Sequence, residues 1–142
     1  LKSFIKMDIN WIYAGIFLDG ESSDKLKTLF APLIPQDWKI FCHHETLVFN
    51  NHSPEVEEYF QKLKDEHLGE EITLTATGFG ISDRAIAVTV VSPLMPFSSK
   101  IPHVTIAVAP GAKPVESNYI STWKELDNPI IVKGKVDFFQ KR

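Results

Sequence analysis

Between Trp11 and Phe139 this chain is cut into short pieces, and the cuts decide what it can build. Six pieces read as β-strands by period-two alternation or β-branched content: 11–19, 40–49, 72–77, 84–91, 103–109 and 130–139. In the first, Trp11, Tyr13, Gly15 and Phe17 are expected on one face and Ile12, Ala14, Ile16 and Leu18 on the other. Three pieces read as helices. Residues 22–30 take Ser22 or Ser23 as cap and Leu26, Leu29 and Phe30 as apolar stripe. Residues 54–67 open at Pro54 behind Ser53, are acidic in the first turn and stop at Gly69. Residues 114–126 open at Pro114. Gly78, Gly80 and Asp83 are turn signals that make 72–77 and 84–91 a hairpin. The proline- and serine-rich stretch 92–102 is a loop long enough to suggest a functional one. The pattern predicts an α+β fold with a mainly antiparallel sheet.

Composition narrows the function classes. With 142 residues and 44% hydrophobic content the chain is expected to form one domain with a real core. It begins at Leu1 without an initiator methionine, which suggests a domain excised from a longer polypeptide, with residues 1–10 as linker or added sequence. The lone Cys42 excludes a disulfide framework or a cysteine zinc site and points to a reducing, intracellular compartment, cytoplasmic or nuclear. No apolar run approaches the ~20 residues of a membrane helix. A formal charge of −3 argues against a sequence-independent duplex-DNA binder, so any nucleic-acid contact should be local. A monomer is expected.

Two segments carry chemistry. His44-Glu45-Thr46-Leu47 and His103-Val104-Thr105-Ile106 repeat one pattern: His, any residue, Thr, aliphatic. From this composition the spacing alone arises by chance roughly one time in ten; the aliphatic neighbour and the strand context bring that to about the per-cent level. Residues two apart on a strand share a face, so each imidazole stands beside its own hydroxyl. If the two strands lie side by side, two imidazoles and two hydroxyls converge. Such a set supplies one general base, one general acid and hydroxyl donors for a developing charge. Two histidines without carboxylate help are too few for a catalytic metal, so no metal or cofactor is expected. Gly78-Phe79-Gly80 fits neither nucleotide-binding fingerprint. No carboxylate pair suggests glycosidase chemistry. Glu55, Glu57 and Glu58 read as a solvated helix start, His52 and His67 as surface residues, and His43 as structural because it points away from His44.

The tandem pattern resembles the 2H phosphoesterase superfamily. Pro102 to Ile106 followed by Ala112-Lys113-Pro114-Val115-Glu116-Ser117-Asn118 is similar to the second-motif region of myelin-type 2′,3′-cyclic nucleotide 3′-phosphodiesterases, with the cyclic phosphodiesterase domain of tRNA ligases a close second. Tyr13-Ala14-Gly15-Ile16-Phe17-Leu18 resembles the first strand of the same group. The resemblance implies two pseudo-symmetric lobes with the motif strands facing each other across a cleft. It implies metal-independent hydrolysis of a 2′,3′-cyclic phosphate, on an RNA 3′ end or a nucleotide, to a 2′-phosphate, in RNA processing, repair or tRNA splicing. His103 would be the base and His44 the acid, with Thr46 and Thr105 on the phosphoryl oxygens. Tyr13, Lys113, Ser117 and Asn118 would contact substrate, Tyr13 by stacking on a base. Two other readings are a 2′–5′ oligonucleotide or RNA-end-trimming phosphodiesterase and a silent RNA-end-binding module. The chain departs from the myelin enzymes at Ile101, where they carry an Arg; a replacement cation would come from Lys100, Lys113 or Arg84. The 59 positions between the two histidines are few, which implies trimmed substrate loops.

Overall fold

The computed structural model describes residues 10–98 and 101–141, so nearly all of the expected linker, and Lys100, lie outside the described residues. The elements run β1 (Trp11–Leu18), α1 (Gly20–Phe30), a 3-10 turn (Ala31–Leu33), β2 (Lys39–Ile40), β3 (His44–Phe49), α2 (Pro54–His67), β4 (Glu71–Ile81), β5 (Ala85–Val91), β6 (His103–Val108), a 3-10 helix (Pro114–Tyr119) and β7 (Trp123–Gln140). The strands form one antiparallel sheet in the order β2-β6-β3-β1-β7-β4-β5, which β5 closes by pairing with β6. The α+β, mainly antiparallel expectation holds, with the two lobes as halves of one closed sheet. They meet at the β3–β6 seam, which is held by the single ladder pair Glu45–Val104. Among the described residues no helix is long and apolar enough to cross a membrane.

One side of the sheet buries a continuous apolar cluster that takes in Leu26 and Phe30 of α1 and Val56, Phe60 and Leu63 of α2. Ser53 caps α2 by accepting from the Val56 N–H, and Gly69 ends it at φ 83°, a conformation that costs other residues more. The cap of α1 is Asp19, whose carboxylate accepts from Ser22 N–H, rather than Ser22 or Ser23. Ser22 is instead buried, and its hydroxyl accepts from the Lys133 N–H of β7. Leu29, expected in the stripe, is exposed.

Three expectations about strands and helices need larger corrections. Residues 40–49 are not one strand: Cys42 sits at φ 56°, outside the β region, and splits them into β2 and β3. Gly78 and Gly80 lie inside β4, and the turn falls at 82–84. A side chain at Gly80 would press within 2.5 Å of the Ile120 side chain, and one at Gly78 within 2.9 Å of the Lys124 carbonyl. These glycines admit close neighbours rather than mark a bend. Residues 114–126 form only a short 3-10 helix; Trp123 to Leu126 belong to β7, and Trp123 to Glu125 pair with Gly78 to Gly80.

Trp11 is the core aromatic expected of it, although period two alone would set it on the face of Tyr13. A register shift between the two in the β1–β7 pairing turns Trp11 to the core, where its ring stacks on Phe60 at 3.8 Å and 5°. Gly15 is the tightest point of β1: a Cβ there would come within 2.3 Å of the Glu45 carbonyl oxygen. Gly15→Ala should therefore lower stability by about 1–3 kcal/mol, the usual cost of overpacking, and thermal unfolding checks it. An unchanged melting temperature would mean that β1 and β3 have room to separate.

Candidate active site

Glu45 and Val104 face each other across β3 and β6, and both side chains are fully buried. Antiparallel pairing then sets His44 opposite Thr105 and Thr46 opposite His103, all four on the side away from the core. The arrangement has a local two-fold relation, with the two imidazoles on one diagonal and the two hydroxyls on the other. All four line a cleft of about 550 Å³, together with Tyr13, Lys113 and Asn118. That volume suits a small ligand or the end of a longer one.

The two histidines have different surroundings. His44 is packed between rings, 4.7 Å from Tyr13 and 5.2 Å from Phe17, and its Nδ1 is buried without a hydrogen-bond partner among the described residues. Burial, then the neighbouring charges of His43 and His103, push its pKa down to about 4. His44 is therefore neutral at pH 7. His103 is half-buried, and its Nδ1 is 2.8 Å from the Ile101 carbonyl, which must accept from it. That bond places the proton on Nδ1 and leaves the Nε2 lone pair unclaimed. Burial also raises the pKa of Tyr13, so its hydroxyl stays protonated.

Ser117 does not reach the cleft. It is buried beside Thr105, and its hydroxyl lies 2.8 Å from Thr105 Oγ1, which also approaches the Pro114 carbonyl at 3.3 Å. Its hydroxyl meets Thr105 rather than the open cleft. Of the replacement cations considered, Lys113 faces the cleft, whereas Arg84 is spent on Glu116 in a two-point pair of 2.7 and 3.1 Å.

Strand alternation does not account for His43 and Phe49, which also line the cleft. His43 lies in the break between β2 and β3, outside any ladder, so alternation does not govern it. It is exposed and lines the cleft. Phe49 reaches the cleft because the β1–β3 register shifts between Ala14 and Gly15: Val48 pairs with Ala14 and Thr46 with Gly15, leaving Leu47 as the extra residue. Leu47 and Val48 are both buried in consequence, and Phe49 joins Tyr13 at a ring separation of 5.6 Å. Neither the turn at Cys42 nor the bulge at Leu47 has a local sequence signal.

No protein-family model matches the chain, and no curated protein matches it in sequence. Among solved structures it is similar in fold to one described as the crystal structure of a fungal RNA kinase, with a TM-score of 0.65 and 14% identity. The match covers 96% of this chain and 46% of that one, so this chain spans less than half the length of its structural relative.

Proposed function

We propose that this domain is a 2H-type phosphodiesterase that hydrolyses a 2′,3′-cyclic phosphate, on an RNA 3′ end or a nucleotide, by acid–base catalysis between His44 and His103. The observation that carries the reading is the Glu45–Val104 register, which brings both His-x-Thr pairs onto one face of one cleft. A second observation supports an anionic substrate: the chain has 18 acidic residues, yet none of the described residues lining the cleft is Asp or Glu. The fold likeness to a protein named for acting on RNA supports a nucleic-acid end as the substrate. Kinase chemistry does not transfer with that likeness, because this sequence has no glycine-rich phosphate loop.

In the proposed reaction His103 Nε2 takes a proton from water, which attacks phosphorus opposite the 3′ oxygen. The P–O3′ bond breaks, His44 delivers a proton to that oxygen, and a 2′-phosphate remains. His103 has the tautomer a base needs. His44 must first be protonated, and the negative phosphate beside it favours that form, offsetting the burial that depresses it. The Thr105 hydrogen swings from the Pro114 carbonyl to a phosphoryl oxygen while Ser117 donates to the Thr105 oxygen. Thr46 supplies the matching donor from the other strand.

An assay on 2′,3′-cyclic AMP with chelator present, with 2′- and 3′-monophosphate resolved, tests this directly. Only the 2′ product formed without metal is compatible with the mechanism. The pH profile tests the electrostatics. With one imidazole neutral and the other protonated, kcat/KM should be bell-shaped, and its acid limb should lie near pH 4, where His44 titrates in the free protein. The bell keeps the same shape if the two roles are exchanged, because only the product of the two fractions enters. A rate that climbs steadily to alkaline pH would point to hydroxide attack instead.

A further inference from the structure

The cleft has two chemically different ends. β3 and β6 run antiparallel, so the Thr46–His103 end leads toward Phe49 and Ile101, with Tyr13 between Phe49 and the His44 ring, and the His44–Thr105 end leads toward His43 and Lys113. Among the described residues the first end is rich in apolar and aromatic side chains, and the second holds the Lys113 ammonium and the His43 imidazole.

The His43–Lys113 end is built rather than incidental. The left-handed Cys42 takes His43 out of the ladder. The His43 ring stands edge-on to Phe41 at 5.6 Å and 79°, and its main-chain carbonyl accepts from the Leu18 N–H at 2.8 Å. Lys39 lies over the same Phe41 ring at 5.2 Å. Across the cleft, Lys113 precedes Pro114, whose carbonyl is within 3.3 Å of Thr105. The neighbouring carboxylate, Glu116, accepts from Arg84 and from the Lys113 N–H.

We propose that His43 and Lys113 form a second anion subsite, which takes the phosphodiester preceding the terminal nucleotide and makes the enzyme selective for an oligonucleotide end over a cyclic mononucleotide. This rests on the phosphodiesterase reading. With the cyclic phosphate between His44 and His103, the terminal base lies toward Tyr13 and Phe49, and the chain leaves past His43 and Lys113. An imidazole N–H and an ammonium facing one phosphate make charge-assisted bonds, each sufficient for about a tenfold change in affinity.

The experiment compares kcat/KM for a dinucleotide ending in a 2′,3′-cyclic phosphate with that for the cyclic mononucleotide. The wild-type chain should prefer the dinucleotide by roughly tenfold or more. His43→Gln and Lys113→Gln should each remove most of that preference, and His43→Arg should keep it. Lys113→Gln should also flatten the dependence of log affinity on log salt by about 0.7, the value of one phosphate contact on a single strand. Both side chains are exposed, so melting temperatures should hold. A wild-type ratio near one, or variants that slow both substrates equally, overturns the subsite. If neither compound turns over, the catalytic reading fails instead. The subsite is then decided by equilibrium affinities for the dinucleotide and mononucleotide 3′-phosphates, judged by the same ratio.

Discussion

Replacing His44 or His103 by alanine should lower turnover of a 2′,3′-cyclic phosphate by roughly 10²–10⁴-fold, the usual value of one positioned acid or base. Thr46→Ala or Thr105→Ala should cost roughly 10²–10³-fold, as for one donor to a developing oxyanion. The four groups act on a single phosphate, so the double histidine variant should lose much less than the product of the single losses. Folding should survive the histidine changes, since both side chains line the cleft and neither belongs to the buried cluster. Turnover, affinity and melting temperature measured on the same variants separate an enzyme from a silent RNA-end-binding module. A module shows no turnover in the wild type and loses only affinity for phosphate-ended RNA. Both histidine variants retaining full rate would end the catalytic reading.

The second large effect concerns Glu45, the residue between His44 and Thr46. Its side chain is fully buried, and neither carboxyl oxygen has a hydrogen-bond partner among the described residues. Burial pushes its pKa up to about 8. Ser92 offsets little, because its hydroxyl donates to the Leu94 carbonyl at 3.0 Å. The folded protein thus holds a proton that the unfolded chain releases near pH 4.5. Stability should be highest in this respect below pH 4.5 and should fall as pH rises to about 8, by an amount on the order of 4–5 kcal/mol. His44 acts in the opposite sense. Its folded pKa is depressed, so its contribution is present above the ordinary imidazole value of 6.5 and is lost as pH falls toward 4. Denaturant unfolding between pH 6.5 and 8.5 therefore isolates Glu45. Glu45→Gln should flatten the curve there, and Glu45→Leu should raise stability at pH 8 by removing an unpaired buried acid. A wild-type curve already flat across that range would show the carboxyl to be solvated or paired.

These expectations were legible in the sequence to different depths. The strand 103–108 and the helix 54–67 could be read residue by residue, because each is specified by local pattern: β-branched alternation in one, Pro54, Ser53 and Gly69 in the other. The two His-x-Thr pairs were legible for the same reason, since period two places His and Thr on one face whatever the strand pairs with. What the local pattern left open was which strands would meet, and in what register. That depends on contacts between residues far apart in the chain, and the Glu45–Val104 pair spans the two halves. The same long-range pairing overrode a helical-looking pattern at Trp123 to Glu125, which β7 draws into the sheet against Gly78 to Gly80. It also set the details of the cleft: the left-handed turn at Cys42 that exposes His43, the bulge at Leu47 that brings in Phe49, and the shift near Trp11 that sends an aromatic to the core. By itself the sequence determined the chemistry each motif strand carries. Only the tertiary structure decided that the two strands share a cleft, because register is a property of the sheet and no single strand contains it.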